Sequence, residues 1–408
     1  MANGDCVVGG HICLDIIPEI PTADVSFAPG KLLLVGAAQF GGGGPVSNTG
    51  LALHKLGIRT RLAGKIGDDF FGEILLKVLA SHDPAVVTAM KRAAGEVTSY
   101  SIILSPPGED RMFLHCAGCN DTFGVDDLDY SSLQGARLFH FGYPPLMRQM
   151  VEDNGKELVE VYRRAQATGV TTSLDMTMPD PNAYTGQVDW KQILANVLPY
   201  VDIFIPSLEE TLYCLYPDVF ARMSEAKEPI NRQVSPEFLR SIGRDLLEMG
   251  PAITGLKMGD HGLYIQTADL ERMERMGRAR PSVLDDWISR QIWSPCFKVE
   301  VAGTTGAGDA TLAGFLAALL RGLSPEETVT MGCAVGGCNV EAPDSLSGVR
   351  GWEETRQRIA RGWERLDLSS VDESNFRKSG ELWFGLDDRK TAEKLEKEAF
   401  FDQSSLNP

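Results

Sequence analysis

The residues Gly303-Thr304-Thr305-Gly306-Ala307-Gly308-Asp309 run directly into an apolar segment, 310–320. Two glycines permit a tight turn. The free backbone N–H groups of the helix start then point outward, backed by the positive end of the helix dipole. Such a turn holds an anion. Asp309 beside it would repel that anion unless its carboxylate acts as base on the anion's reaction partner. The pairing points to phosphoryl transfer onto a hydroxyl, with Gly306, Ala307 and Gly308 holding the phosphoryl oxygens. On this stretch alone the plainer alternative is a glycine-softened turn with Asp309 as a helix-start carboxylate.

A second cluster, Gly41-Gly42-Gly43-Gly44-Pro45-Val46-Ser47-Asn48, precedes a segment bearing Leu51, Leu53 and Leu56 and closing at Gly57. A helix start needs one glycine at most; four in a row let a ligand lie against bare backbone. Ser47 or Asn48 is expected to cap that helix. Other chemistries lack their signatures. There is no G-x-x-x-x-G-K-[ST] loop, and the third position of a G-x-G-x-x-G motif starting at Gly306 falls on Thr311. No G-x-S-x-G elbow and no H-R-D or D-F-G motif occurs. Cys116 and Cys119 have metal-ligand spacing but no second pair, so they read as ordinary cysteines.

Positioning these motifs requires a scaffold. Short β-branched runs at 137–141, 170–175, 201–206, 252–257 and 263–266 alternate with helical patterns at 156–167, 190–198 and 236–249. This alternation predicts an α/β fold around a mostly parallel sheet. Residues 11–40 and 97–117 break the rhythm with strands lacking helical spacers, and predict a small antiparallel flap. Stretches 217–235 and 268–295 read as surface insertions, and residues 366–408 as a polar extension ending in a helical pattern over 390–400.

The chain has 408 residues and a formal net charge of −17. That balance argues against sequence-independent binding to nucleic acid or an anionic membrane. No run of 18 apolar residues suggests a membrane span, and the first residues lack a signal-peptide pattern. Eight cysteines without a disulfide-like framework fit a reducing compartment, so a cytoplasmic location is expected.

Taken in order, the motifs resemble those of the PfkB family, the ribokinase-like sugar and nucleoside kinases. Gly43-Gly44 to Asn48, Leu56-Gly57 and Gly64 to Gly72 are similar to its N-terminal signature, and Gly303 to Asp309 to its C-terminal one. The resemblance covers about 5–365 and implies a three-layer α/β/α kinase domain over 1–365, with a β lid from 11–40 and 97–117. It implies ATP and Mg2+, with Glu210 holding the hydrated ion through water. It also implies that Asp15, Gly43, Gly44 and Asn48 orient the acceptor, and that Ser207, Lys257, Gly259, Gly262 and Thr305 line the nucleotide side. Relatives often pair lids, so a homodimer is expected. Two departures stand out. Gly303 occupies the place of an Asp that helps bind sugar and a monovalent cation, so little potassium dependence is expected; Ser207 replaces the Asn of N-x-x-E. The resemblance implies a sugar or sugar-acid kinase; an adenosine-like nucleoside kinase and a silent sugar-binding relative are the alternatives.

Overall fold

The computed structural model describes residues 5–22, 29–107, 111–368 and 375–391. The chain opens with β1 (Cys6–Gly10), β2 (Cys13–Pro18) and β3 (Ala38–Gly43). After the helix Gly44–Lys55 come β4 (Thr60–Ala63), the short β5 (Lys65–Gly67) and β6 (Lys91–Ala93), then β7 (Tyr100–Leu104) and β8 (Met112–Cys116). Next are β9 (Leu138–Gly142), β10 (Thr171–Asp175), β11 (Ile203–Phe204), β12 (Ile253–Lys257), β13 (Leu263–Thr267) and β14 (Gln291–Ser294). A terminal hairpin, β15 (Phe376–Ser379) and β16 (Leu382–Gly385), closes the described chain.

Ten strands form the main sheet in the order β15-β16-β14-β13-β12-β11-β10-β9-β1-β4. From β4 to β12 every pairing is parallel; from β12 to β15 every pairing is antiparallel. Strands buried on both faces are mostly apolar, and β1 and β9 fit that pattern; β10 is wholly buried too, yet reads Thr-Thr-Ser-Leu-Asp, so its polar groups need partners inside. Helices cover both faces, each over its own apolar cluster. The helices Ala307–Leu320 and Pro325–Asn339 pack on each other, rich in small residues and almost wholly buried.

The flap is a separate four-stranded sheet in the order β3-β2-β7-β8. Its central pair, β2 with β7, is parallel, so the sheet is mixed rather than antiparallel as expected. The two strands sit in different halves of the lid, joined through the main domain, which leaves no hairpin to force an antiparallel return. The helix expected from residue 156 follows a break at Asp153, Asn154 and Gly155, all at positive φ.

Of the two stretches expected as surface insertions, only the second is corrected. The 217–235 stretch forms the helices Pro217–Ser224 and Ile230–Gln233. The 268–295 stretch is not a surface insertion, because it delivers β14 to the main sheet and buries Trp287 and Arg290. Its Glu and Arg content misleads because one of those arginines lies inside, held by Asp388 (2.8 Å) and Glu326 (2.6 Å). Past residue 365, in the part read as a polar extension, β16 pairs with β14 and so continues the main sheet. This hairpin forms the edge of the sheet opposite β4. Most of the helical pattern at 390–400 lies outside the described residues. Among those described, no helix is long and apolar enough to cross a membrane.

Candidate active site

In an open α/β sheet, helix dipoles and loop backbones converge on the carboxyl ends of the parallel strands. Here the polar residues gather at that edge. His11 follows β1, Tyr143 follows β9, Asp175 ends β10, Ser207 lies just past β11 and Lys257 ends β12. The glycine turn 303–309 arrives over the same edge, and a cavity of about 780 Å³ opens between it and the lid. Its walls include Asp15, Gly43, Gly44, Asn48, Tyr143, Thr305, Gly306 and Asp309.

Asp309 is buried at the head of the helix Ala307–Leu320. Gly306, at φ 72°, caps that helix in the left-handed region, where a side chain would be strained and a Cβ would meet Ser345 at 2.7 Å. Three donors hold the carboxylate: Asn48 Nδ2 (3.0 Å) and Tyr143 OH (2.9 Å) on Oδ2, and Thr49 Oγ1 (3.0 Å) on Oδ1. Burial pushes the Asp309 pKa above the usual carboxylate range, while these donors and Lys257 pull against it. The turn's backbone donors differ. Ala307 N–H, expected in the anion cradle, donates to the Thr304 carbonyl (3.2 Å), whereas Gly306 and Gly308 N–H have no acceptor among the described residues.

Around the second glycine cluster, the helix begins at Gly44 with Gly43 as its cap, so Ser47 and Asn48 lie inside it and neither caps it. Asn48 bridges instead, donating to Asp309 and accepting from Ser345 Oγ (2.9 Å). A Cβ on Gly43 would lie 2.5 Å from Asp15 Oδ1, which is why this wall of the cavity is bare backbone. Asp15 is itself mostly buried, and desolvation raises its pKa to about 6.

On the nucleotide side, Lys257 Nζ donates to Asp175 Oδ1 at 2.6 Å, just beneath Gly308. Burial pushes the Asp175 carboxyl up against the pull of Lys257. Asp175 Oδ2 is buried with no hydrogen-bond partner among the described residues. Ser207 and Glu210 form a capping box at the start of the helix Leu208–Leu215, with Glu210 Oε2 accepting from Ser207 N–H at 2.7 Å. Both residues thus have structural duties that their motif alone does not reveal. Gly259 and Gly262, at φ 54° and 88°, shape the turn from β12 to β13. Thr305 receives Arg111, which reaches from the lid to the turn and also to the Pro343 carbonyl.

Sequence reasoning missed Tyr143, Thr49, Asp175 and Arg111. Tyr143 left no sign in the sequence: a residue before proline is ordinarily extended, yet Tyr143 takes φ 62°, an αL conformation that is rare for a bulky residue. Burial holds its hydroxyl well above its ordinary pKa, so it donates at neutral pH. Tyr143→Phe removes a hydrogen bond that favours ionised Asp309. The acid limb of the rate profile is therefore expected to move to higher pH, by about one unit. An unmoved limb in kcat against pH would remove Tyr143 from this role.

The family model for "pfkB family carbohydrate kinase" matches residues 4–216 and 289–349. The chain belongs to the pfkB family of carbohydrate kinases. Its members are phosphotransferases with an alcohol group as acceptor. The match omits 217–288, so Lys257, Gly259 and Gly262 come to the site by the fold rather than by that match. An uncharacterized sugar kinase of Archaeoglobus fulgidus is 27% identical, covering 69% of this chain and 91% of that protein. A 2-dehydro-3-deoxygluconokinase of Bacillus subtilis is 23% identical over 78% and 85%. Among solved structures, a ribokinase of Thermotoga maritima aligns with TM-score 0.63 at 19% identity, over 88% of this chain and 99% of that one. An Arabidopsis thaliana ribokinase complexed with ribose and ATP aligns at 0.62 with 17% identity, over 87% and 98%. The fold is ribokinase-like, as the motifs imply.

Proposed function

We propose that this pfkB-family kinase transfers the terminal phosphoryl group of ATP to a hydroxyl of a small sugar or sugar-derived acceptor, with Asp309 as general base. The observation that carries the reading is the buried Asp309 carboxylate facing the cavity beside an αL glycine turn with open N–H donors. Oδ2 already accepts two hydrogen bonds and Oδ1 only one, so the free lone pair lies on Oδ1. The acceptor hydroxyl donates there. As its oxygen bonds to the terminal phosphorus, the bond to the bridging oxygen breaks, ADP leaves and the proton rests on Asp309. Gly306 and Gly308 N–H groups stabilise the transferring oxygens.

Asp15, Gly43, Gly44 and Asn48 border the acceptor, with Asn48 acting through the base it holds. Ser207, Lys257, Gly259, Gly262 and Thr305 border the nucleotide. Mg2+ fits this edge: Glu210 and Asp175 lie within electrostatic reach of each other, and the orphaned Asp175 Oδ2 lacks a partner that a hydrated cation would supply. Bound Mg2+ would neutralise phosphate charge. No carboxylate stands at Gly303, whose surroundings are the carbonyls of Ala342 and Pro343, so weak potassium dependence remains part of the proposal.

ATP consumption across sugars, sugar acids and nucleosides tests the reading. Turnover with a sugar or sugar acid is expected; turnover with nucleosides alone, or with none, overturns it. The proposal includes a homodimer through the lid. Its edge strand β8 leaves Met112, Phe113 and Leu114 each more than half exposed, and Phe40 on β3 is 48% exposed. Such an apolar edge is a pairing surface. Sedimentation at micromolar concentration is expected to give a dimer, and Phe113→Lys to give a monomer; a wild-type monomer refutes the interface.

A further inference from the structure

His11, Cys13 and His115 meet where the lid joins the main domain, on the wall of the acceptor cavity. They come from three places: the loop after β1, the first residue of β2 and the lid strand β8. One ligand atom from each lies within 4.8 Å of the other two. His11 is 2% exposed, yet neither ring nitrogen has a hydrogen-bond partner among the described residues. Buried imidazole nitrogens ordinarily find partners, so this ring is short of one. His115 faces it with ring centroids 5.3 Å apart. Ser101 Oγ lies 2.9 Å from His115 Nδ1 and 3.6 Å from Cys13 Sγ. That hydroxyl orients two of the three side chains, as outer groups orient metal ligands, and leaves Nε2 of His115 for an ion.

We propose that His11, Cys13 and His115 bind one thiophilic divalent transition-metal ion, with Zn2+ the best match, at the hinge of the lid. Two imidazoles and a thiolate suit Zn2+ and exclude Mg2+, which takes oxygen ligands. Bonds of about 2.0–2.3 Å put tetrahedral ligands about 3.3–3.8 Å apart, so the three side chains close by a small rotamer adjustment. The Cys13 thiol gives its proton to solvent as the sulfur–metal bond forms. The fourth position faces the cavity and takes water or another oxygen ligand. Because Cys13 and His115 ride on the lid strands β2 and β8 while His11 follows β1 of the main sheet, the ion ties the two together.

The test uses the full-length protein, stripped of metal with a chelator and titrated with Co2+ alone. Thiolate-to-cobalt charge transfer in the near ultraviolet is expected to saturate at one ion per chain and to be displaced by Zn2+. Co2+ at the carboxylate edge gives no such band, so the signal is specific to a cysteine ligand. Cys13→Ser is expected to abolish the band, and His115→Gln, on the exposed lid strand, to weaken Co2+ affinity at least about 100-fold. Circular dichroism checks that each variant folds, and His115→Gln stands as the deciding variant if Cys13→Ser does not. No band in the wild-type protein, or a band unchanged in the folded variants, overturns the proposal. None of these readouts depends on which acceptor the kinase phosphorylates.

Discussion

Asp309→Asn is expected to lower kcat by about 10²- to 10⁴-fold, the usual loss when a positioned general base is removed. Folding should survive. Thr49 and Tyr143 hold the carboxylate through hydroxyls that can rotate, and the amide has nearly the carboxylate's shape. The exchange also removes a buried charge whose desolvation is costly. ATP binding, measured by calorimetry, and the unfolding transition are therefore expected to stay near wild type while turnover collapses. A kcat close to wild type on the preferred acceptor would show that the proton goes elsewhere.

The second large effect is on stability. Asp175 is fully buried and its close partner is the Lys257 ammonium at 2.6 Å. Lys257→Met leaves that carboxylate without its cation, a loss that costs about 3–5 kcal/mol in comparable buried pairs. A clear fall in the urea midpoint is expected. The double variant Lys257→Met/Asp175→Asn should regain much of it, because an amide needs no counter-charge. A single variant as stable as wild type would mean that water or another cation already serves Asp175.

The sequence made the framework readable because β-branched runs alternating with helical periods leave few topologies, and because two glycine clusters point to the two ends of one site. The tight glycine turn leading into the helix of Asp309 was legible from spacing, and Gly306 takes the left-handed backbone that such a turn reserves for glycine. Other parts were hidden for physical reasons. The Ser207 and Glu210 side chains each spend atoms on a helix cap, a duty that looks the same in sequence as a ligand contact. Arg290 was hidden among surface-like charges because its partner Asp388 lies 98 residues away. The parallel pairing of β2 with β7 depends on how the main domain brings two distant segments together, which neither segment encodes. Tyr143 reaches Asp309 only through an unusual backbone conformation.

The partners of Asp309 lie 261, 260 and 166 residues before it in the chain. Synthesis runs from the N-terminus, so Asn48, Thr49 and Tyr143 are in place on the ribosome long before the residue they hold has been made. A growing chain that already has the residues of the lid and the parallel strands still lacks Asp309, the carboxylate proposed as the base. On the proposed mechanism, transfer therefore waits for the helix beginning at Ala307, and a polypeptide interrupted before that helix is expected to leave nucleotide unspent.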